Sequence, residues 1–148
     1  MQFFGKAAFA ATLSLAFPVL VSAQDAQPAD SGIKIELNNA EATEAGGCRL
    51  TMVTTNMMDA GIDRAAWQVA IFDGQGVVQA LPILDFGTLS SGKTKVALFE
   101  LADRACTDIS RIVINDVAEC RGADQSDLSA ACLSGLTTQT RTDIDFGV

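Results

Sequence analysis

Histidine and tyrosine are both absent from this 148-residue chain. Their absence excludes serine–histidine and cysteine–histidine nucleophile pairs, histidine-ligated metal centres and a tyrosine acid in one step. No C-x-x-C occurs, which excludes thioredoxin-type redox chemistry. Gly74 and Gly76 are followed by neither a helical pattern nor Lys-Ser/Thr, so they form no phosphate loop. The D-x-[DN]-x-[DN]-G run of a calcium loop is missing as well; Asp59-Ala60-Gly61-Ile62-Asp63 comes nearest, and two acids are too few. There is no internal repeat and no low-complexity tract.

What remains for catalysis is the carboxylate pair. Asp143 with Asp145, or Asp124 with Asp127, could in principle serve a carboxylate-dependent hydrolase of cell-envelope glycan. Acids on the wet face of a strand or at a helix cap ordinarily serve solubility instead. No catalytic residue is assigned, and neither a cofactor nor a metal is expected.

Positive charge is also scarce, with 10 Lys and Arg against 18 Asp and Glu, a net charge of −8. The N-terminus divides into Met1 to Lys6 with one positive charge, an apolar run from Ala7 to Phe17, and Pro18 leading into Val19-Leu20-Val21-Ser22-Ala23. That order is the order of a secretory signal peptide. Val21 and Ala23 suit the two small pockets of signal peptidase, so residues 1–23 are expected to be removed after Ala23. An uncleaved anchor is the competing reading, because Ala7 to Gln24 is uncharged for 18 residues, close to the ~20 of a spanning helix. The strongly apolar part has the length of a signal core, so no membrane span is expected after cleavage. No Cys lies near the cut and no Arg pair precedes the apolar run, which favours the general secretory route over lipoprotein or twin-arginine export. Cleavage removes Lys6 and no acid, leaving 9 basic and 18 acidic side chains, net −9. Neither nucleic acid nor an anionic membrane surface is an expected partner.

Residues 24–32 are polar and contain Pro28, which reads as a flexible leader, and the domain spans residues 33–148. Ile33, Ile35 and Leu37 alternate with Lys34, Glu36 and Asn38, the pattern of a half-buried strand. Further strands read at Cys48 to Asn56, Trp67 to Asp73, Val77 to Leu84, Thr94 to Leu101, Arg111 to Val117 and Thr138 to Phe146. Asp73-Gly74-Gln75-Gly76 supplies a tight hairpin between the third and fourth. Those two strands are apolar on both faces apart from Gln68 and Gln79, which places them at the centre of the core. Pro82 cannot donate to a ladder and marks a bulge or an early end. One short helix is expected near residues 126–133, capped by Ser126 or Asp124, with Leu128, Ala131 and Cys132 at helical spacing. About seven strands and almost no helix predict an all-β sandwich of immunoglobulin or fibronectin-III type, with a small barrel as the alternative.

In an oxidising compartment Cys48, Cys106, Cys120 and Cys132 are expected to form two disulfides. Three pairings are possible, and the favoured one joins Cys120 to Cys132 across 11 intervening residues, leaving Cys48 for Cys106. A zinc site of four thiolates would use close Cys pairs, which are lacking here. Cys106 and Cys120 flank the sixth strand, so a bridge at the rim is expected rather than one through the centre. Trp67 reads as core.

Met57, Met58 and Ile62 fall in what should be a loop at one end of the sandwich and are the candidate interaction residues. The other reading of these residues is a cover over the end of the core. The chain resembles a family of small exported proteins of Gram-negative proteobacteria. The likeness rests on Gly47-Cys48-Arg49-Leu50, Phe72-Asp73, Leu84-Asp85-Phe86, Lys95-Val96 with Phe99, Ile112 to Asn115, Cys120, Cys132 and Thr140-Arg141-Thr142. The resemblance implies a periplasmic location and brings no activity with it. Some of the proteins it resembles carry labels mentioning twin-arginine export, and this chain lacks the Arg pair. The expected function is a non-enzymatic periplasmic interaction or accessory protein that binds another envelope protein. A small-ligand carrier with a pocket between the sheets is a further alternative. N-terminal sequencing of the exported protein should begin at Gln24, and a start at Met1 would show that the apolar segment is retained.

Overall fold

A computed structural model describes residues 31–148; the signal segment 1–23 and leader residues 24–30 lie outside the described residues. Among the described residues nine strands form: β1 (Ile33–Ala42), β2 (Cys48–Asn56), β3 (Ile62–Phe72), β4 (Val78–Ala80), β5 (Ile83–Leu89), β6 (Thr94–Leu101), β7 (Arg111–Gly122), β8 (Leu136–Thr140) and β9 (Asp145–Gly147). A 3₁₀ turn (Cys106–Asp108) precedes β7, and helix α1 (Ser129–Ser134) follows it. The first sheet has the order β6-β2-β1-β8. In the second, β3 lies between β7 on one side and β4 with β5 on the other, and β9 pairs β7 beyond. The fold is an all-β sandwich.

The inward row of each strand follows the period-two alternation. Ile33, Ile35 and Leu37 of β1 and Leu50 and Met52 of β2 meet Trp67, Val69 and Ile71 of β3 and Ile112 of β7, all fully buried. Trp67 has 0% exposure. Its ring meets Phe86 edge-on at 5.4 Å between centroids, and Phe86 meets Phe99 edge-on at 5.0 Å. Since Phe99 lies on β6, this aromatic column runs from one sheet to the other.

The strand expected at Val77 to Leu84 is corrected to two short ones, β4 and β5, that run along an edge. Pro82 has no N–H, so the ladder breaks there, and Val69 N–H is satisfied by Pro82 C=O at 2.9 Å. The hairpin before it forms on Asp73, whose Oδ1 accepts from the N–H groups of Gln75 and Val77. Gly76 supplies the φ of +78° that this turn needs.

The strand expected at Thr138 to Phe146 is likewise two strands, and they belong to different sheets. Thr140 Oγ1 accepts from Thr142 N–H and donates to Ile144 C=O, while Thr142 Oγ1 accepts from Ile144 N–H. These hydroxyls take over ladder positions and bend the chain. As a result β8 pairs β1 in parallel, and β9 pairs β7 in parallel across the sandwich. The chain reaches β8 through α1, where Gly135 C=O lies so close to Gly32 that a Cβ on Gly32 would fall 1.8 Å from it. Ile33 N–H donates to the same carbonyl.

The helix begins later than expected. Asp127 Oδ1 accepts from Ser129 N–H, while Asp124 is engaged with Ser126 in the loop before it. Disulfides join Cys48 to Cys106 and Cys120 to Cys132. Cys120 lies inside β7 at 2% exposure, opposite Ala65, rather than beyond the strand at the rim. Register shifts opposite Ala66–Trp67 and Gln68–Val69 interrupt the alternation of β7 and hide its second half from a period-two reading. Replacing both cysteines of the 58-residue closure by Ala should cost about 4 kcal/mol. The 12-residue closure should cost about 3 kcal/mol, both read from urea unfolding.

Candidate interaction surface

Of the two readings of Met57, Met58 and Ile62, the structure shows the cover over the end of the core rather than an exposed cluster. Ile62 opens β3 at 1% exposure, and Met58 packs against the core. The cause is Asn56, itself fully buried, whose Nδ2 donates to Ala60 C=O and Leu89 C=O while its Oδ1 accepts from Met58 N–H. Met57 N–H donates to Gly32 C=O, and Ser91 Oγ to Met58 C=O. This network folds the loop onto the end of the sandwich.

The exposed apolar side chains lie elsewhere. Val77, Val78, Leu81 and Ile83, on β4, β5 and the residues joining and preceding them, are between 46% and 57% exposed. Val78 stands opposite half-buried Phe72, and Ile83 opposite Gln68, on the outer face of the second sheet. Arg111 stacks over the Phe72 ring at 5.5 Å. Polar groups border the patch: Asn115 donates to Gln68 Oε1, and Arg64 reaches both Asp85 and Glu119. The Arg64 guanidinium, followed by Gly87 N–H, holds the Asp85 carboxyl below its ordinary pKa. The result is a patch of half-exposed apolar side chains bordered by polar groups. The signal for it was Pro82, which demotes an apolar run from centre to edge.

Neither pair of acids singled out for catalysis lines a common depression: Asp127 borders one without Asp124. Hydrogen bonds from the Ser126 side chain and backbone lower the Asp124 pKa, and those from Ser129 lower that of Asp127. Both carboxylates therefore hold turns in ionised form. Asp143 lines a shallow depression of about 480 Å³ beside Arg141, and Asp145 is not part of it. Between the sheets the space is filled by the buried row around Trp67.

Glu36 is the carboxylate the structure commits most. It lies on the outer face of β1 yet is only 8% exposed, because Arg141 Nε donates to its Oε1 at 2.7 Å and Asn38 Nδ2 at 2.8 Å. Arg141 N–H also donates to Leu37 C=O. The Arg141 hydrogen bond, then that of Asn38, lowers the Glu36 pKa.

The fold and the two disulfides define a small disulfide-tied β-sandwich, and disulfides of this kind belong to an oxidising, extracytoplasmic compartment. Among the described residues no helix is long and apolar enough to cross a membrane. No protein-family model matches the chain, and no curated protein matches it. Among solved structures it is similar to IrmA from Escherichia coli, with a TM-score of 0.56 and 12% identity, over 72% of this chain and 90% of that one. At that identity the likeness is one of fold.

Because the folded pKa of Glu36 is lowered, its contribution to stability is complete above the ordinary value of 4.5 and fades as the pH falls through the folded value. Glu36→Gln should flatten this part of the acid unfolding curve, measured by thermal melts from neutral to strongly acidic pH. An unchanged acid limb would show that the pair contributes nothing.

Proposed function

We propose that the chain is a non-enzymatic periplasmic interaction module, exported by the general secretory route with cleavage after Ala23, that binds another envelope protein. The observation that carries this reading is the run of exposed apolar side chains Val77, Val78, Leu81 and Ile83 along one sheet edge. Burying such a side chain is worth about 1.5–3 kcal/mol, so a partner covering the patch has a substantial driving force. The signal-like segment and the disulfides support the compartment. The lack of histidine and tyrosine, with carboxylates engaged in turns, supports a role without catalysis.

A photo-crosslinking residue at Leu81, introduced in the native host, should give one discrete adduct identifiable by mass spectrometry. Adding Val78→Asp should abolish it while the protein still folds. Equal crosslinking from Leu81 and from Met57, or an adduct indifferent to Val78→Asp, would count against this surface.

A further inference from the structure

A strand at the edge of a sheet presents unpaired backbone groups, and proteins blunt such edges by shortness, Pro, bulges or charge. Three edges here are blunted. β9 has three residues, β8 has five before the threonine turn, and β4–β5 is broken at Leu81-Pro82. β6 is different, an unbroken run of eight residues without Pro or Gly. Among the described residues it pairs β2 on one side only. Its outer face carries Val96 and Leu98, 61% and 64% exposed, beside half-buried Val53 on β2. The one charge on its inner face, Lys95, does not obstruct the edge. Its Nζ donates to Phe86 C=O at 2.6 Å and to Thr88 C=O at 3.3 Å, tying β6 to β5 of the other sheet.

We propose that β6 pairs antiparallel with β6 of a second copy about a two-fold axis at Ala97, joining two four-stranded sheets into one of eight. In such a pair, opposing side chains share a face only when the axis passes through a residue. With the axis at Ala97, Val96 faces Leu98 of the partner subunit, and Thr94 faces Glu100 of the partner subunit. The small Ala97 side chains meet at the axis. No like charges oppose one another in this register, and Glu100 already has Arg49 at 3.8 Å. An axis at Leu98 would instead set Val96 against the carboxylate of Glu100. An axis at Val96 would set Leu98 against Thr94. The register at Ala97 alone of these three matches the apolar residues to each other and the charged residue to a hydroxyl.

The occupant is a second copy because the edge is complementary to itself. The acidic net charge of the exported chain, −9, opposes association at long range, and salt screens that repulsion over about 8 Å at physiological ionic strength. The dimer therefore strengthens as salt rises, the reverse of an interface held by ion pairs. This pairing uses the edge of the first sheet, beside the β4–β5 edge of the second sheet that is offered to a heterologous partner, and it does not depend on that reading.

Sedimentation velocity of the exported protein, with both disulfides formed, should show a monomer–dimer equilibrium that shifts toward dimer with concentration and with added salt. Leu98→Lys alters an exposed side chain, so it should leave the thermal melt of the fold intact while weakening the dimer at least about tenfold, since it sets a cation against Val96 of the partner subunit. Val78→Asp, on β4 of the second sheet, removes no β6 contact and should leave the dimer unchanged. A protein that stays monomeric at every concentration would overturn the proposal. So would a dimer that survives Leu98→Lys, dissolves in salt, or is broken by Val78→Asp.

Discussion

The edge-on column of Trp67, Phe86 and Phe99 is where the two sheets are held at a fixed separation. Sheets of a sandwich pack about 10 Å apart, and a row of interlocked rings sets that spacing more rigidly than aliphatic side chains can. Trp67 sits on β3, which is flanked by ladders on both sides, and even the small Ala66 and Ala70 on its outer face are buried. Everything added later in the chain is fitted to that centre. The Cys48–Cys106 bridge ties the start of β2 to the turn before β7, and the Cys120–Cys132 bridge ties α1 to β7. The last segment closes the sandwich by giving β8 to one sheet and β9 to the other. Arg141, between them, is held on β1 by its own backbone and by Glu36.

Alternation was a sound guide where a strand runs straight and a poor one where side chains compete with the ladder. Ile33, Ile35 and Leu37 alternate and are buried. Thr138 to Phe146 alternates as cleanly, yet the hydroxyls of Thr140 and Thr142 capture backbone groups and turn the chain into the other sheet. A period-two pattern says which side chains share a face, and nothing about which sheet supplies the neighbour. The same limit explains Val77 to Leu84. Apolar residues on both faces suggested a central strand, whereas Pro82 leaves the run at an edge with half of its side chains uncovered. The loop at Met57 and Met58 left two readings open, core cover and interface, for another reason. Its conformation depends on Asn56 reaching Leu89, which is 33 residues away, and no local pattern encodes a contact of that range.

The carboxylates follow one physical rule throughout. Asp73, Asp124 and Asp127 each accept backbone N–H groups two or four residues ahead, which favours their ionised forms and fixes the loops they begin. Asp85 and Glu36 do the same work between strands through Arg64 and Arg141. A general acid needs the opposite treatment, desolvation without compensating donors, so that its pKa rises toward neutrality. Every resolved carboxylate shift here is downward. These five carboxylates are thus used to shape turns and tie strands.

The disulfides bear on the surface as well as on the fold. A domain of this size depends on burying nearly all of its large apolar side chains, and each one left half exposed forgoes about 1 kcal/mol. Val77, Val78, Leu81, Ile83, Val96 and Leu98 together forgo on the order of 6 kcal/mol. Two cross-links that restrict the unfolded chain contribute about 3 and about 4 kcal/mol, a sum of the same size. Covalent ties therefore free the fold from having to cover these residues. They can stay on two sheet edges, one broken by Pro82 and one continuous, where packing within a single copy leaves about half of each uncovered.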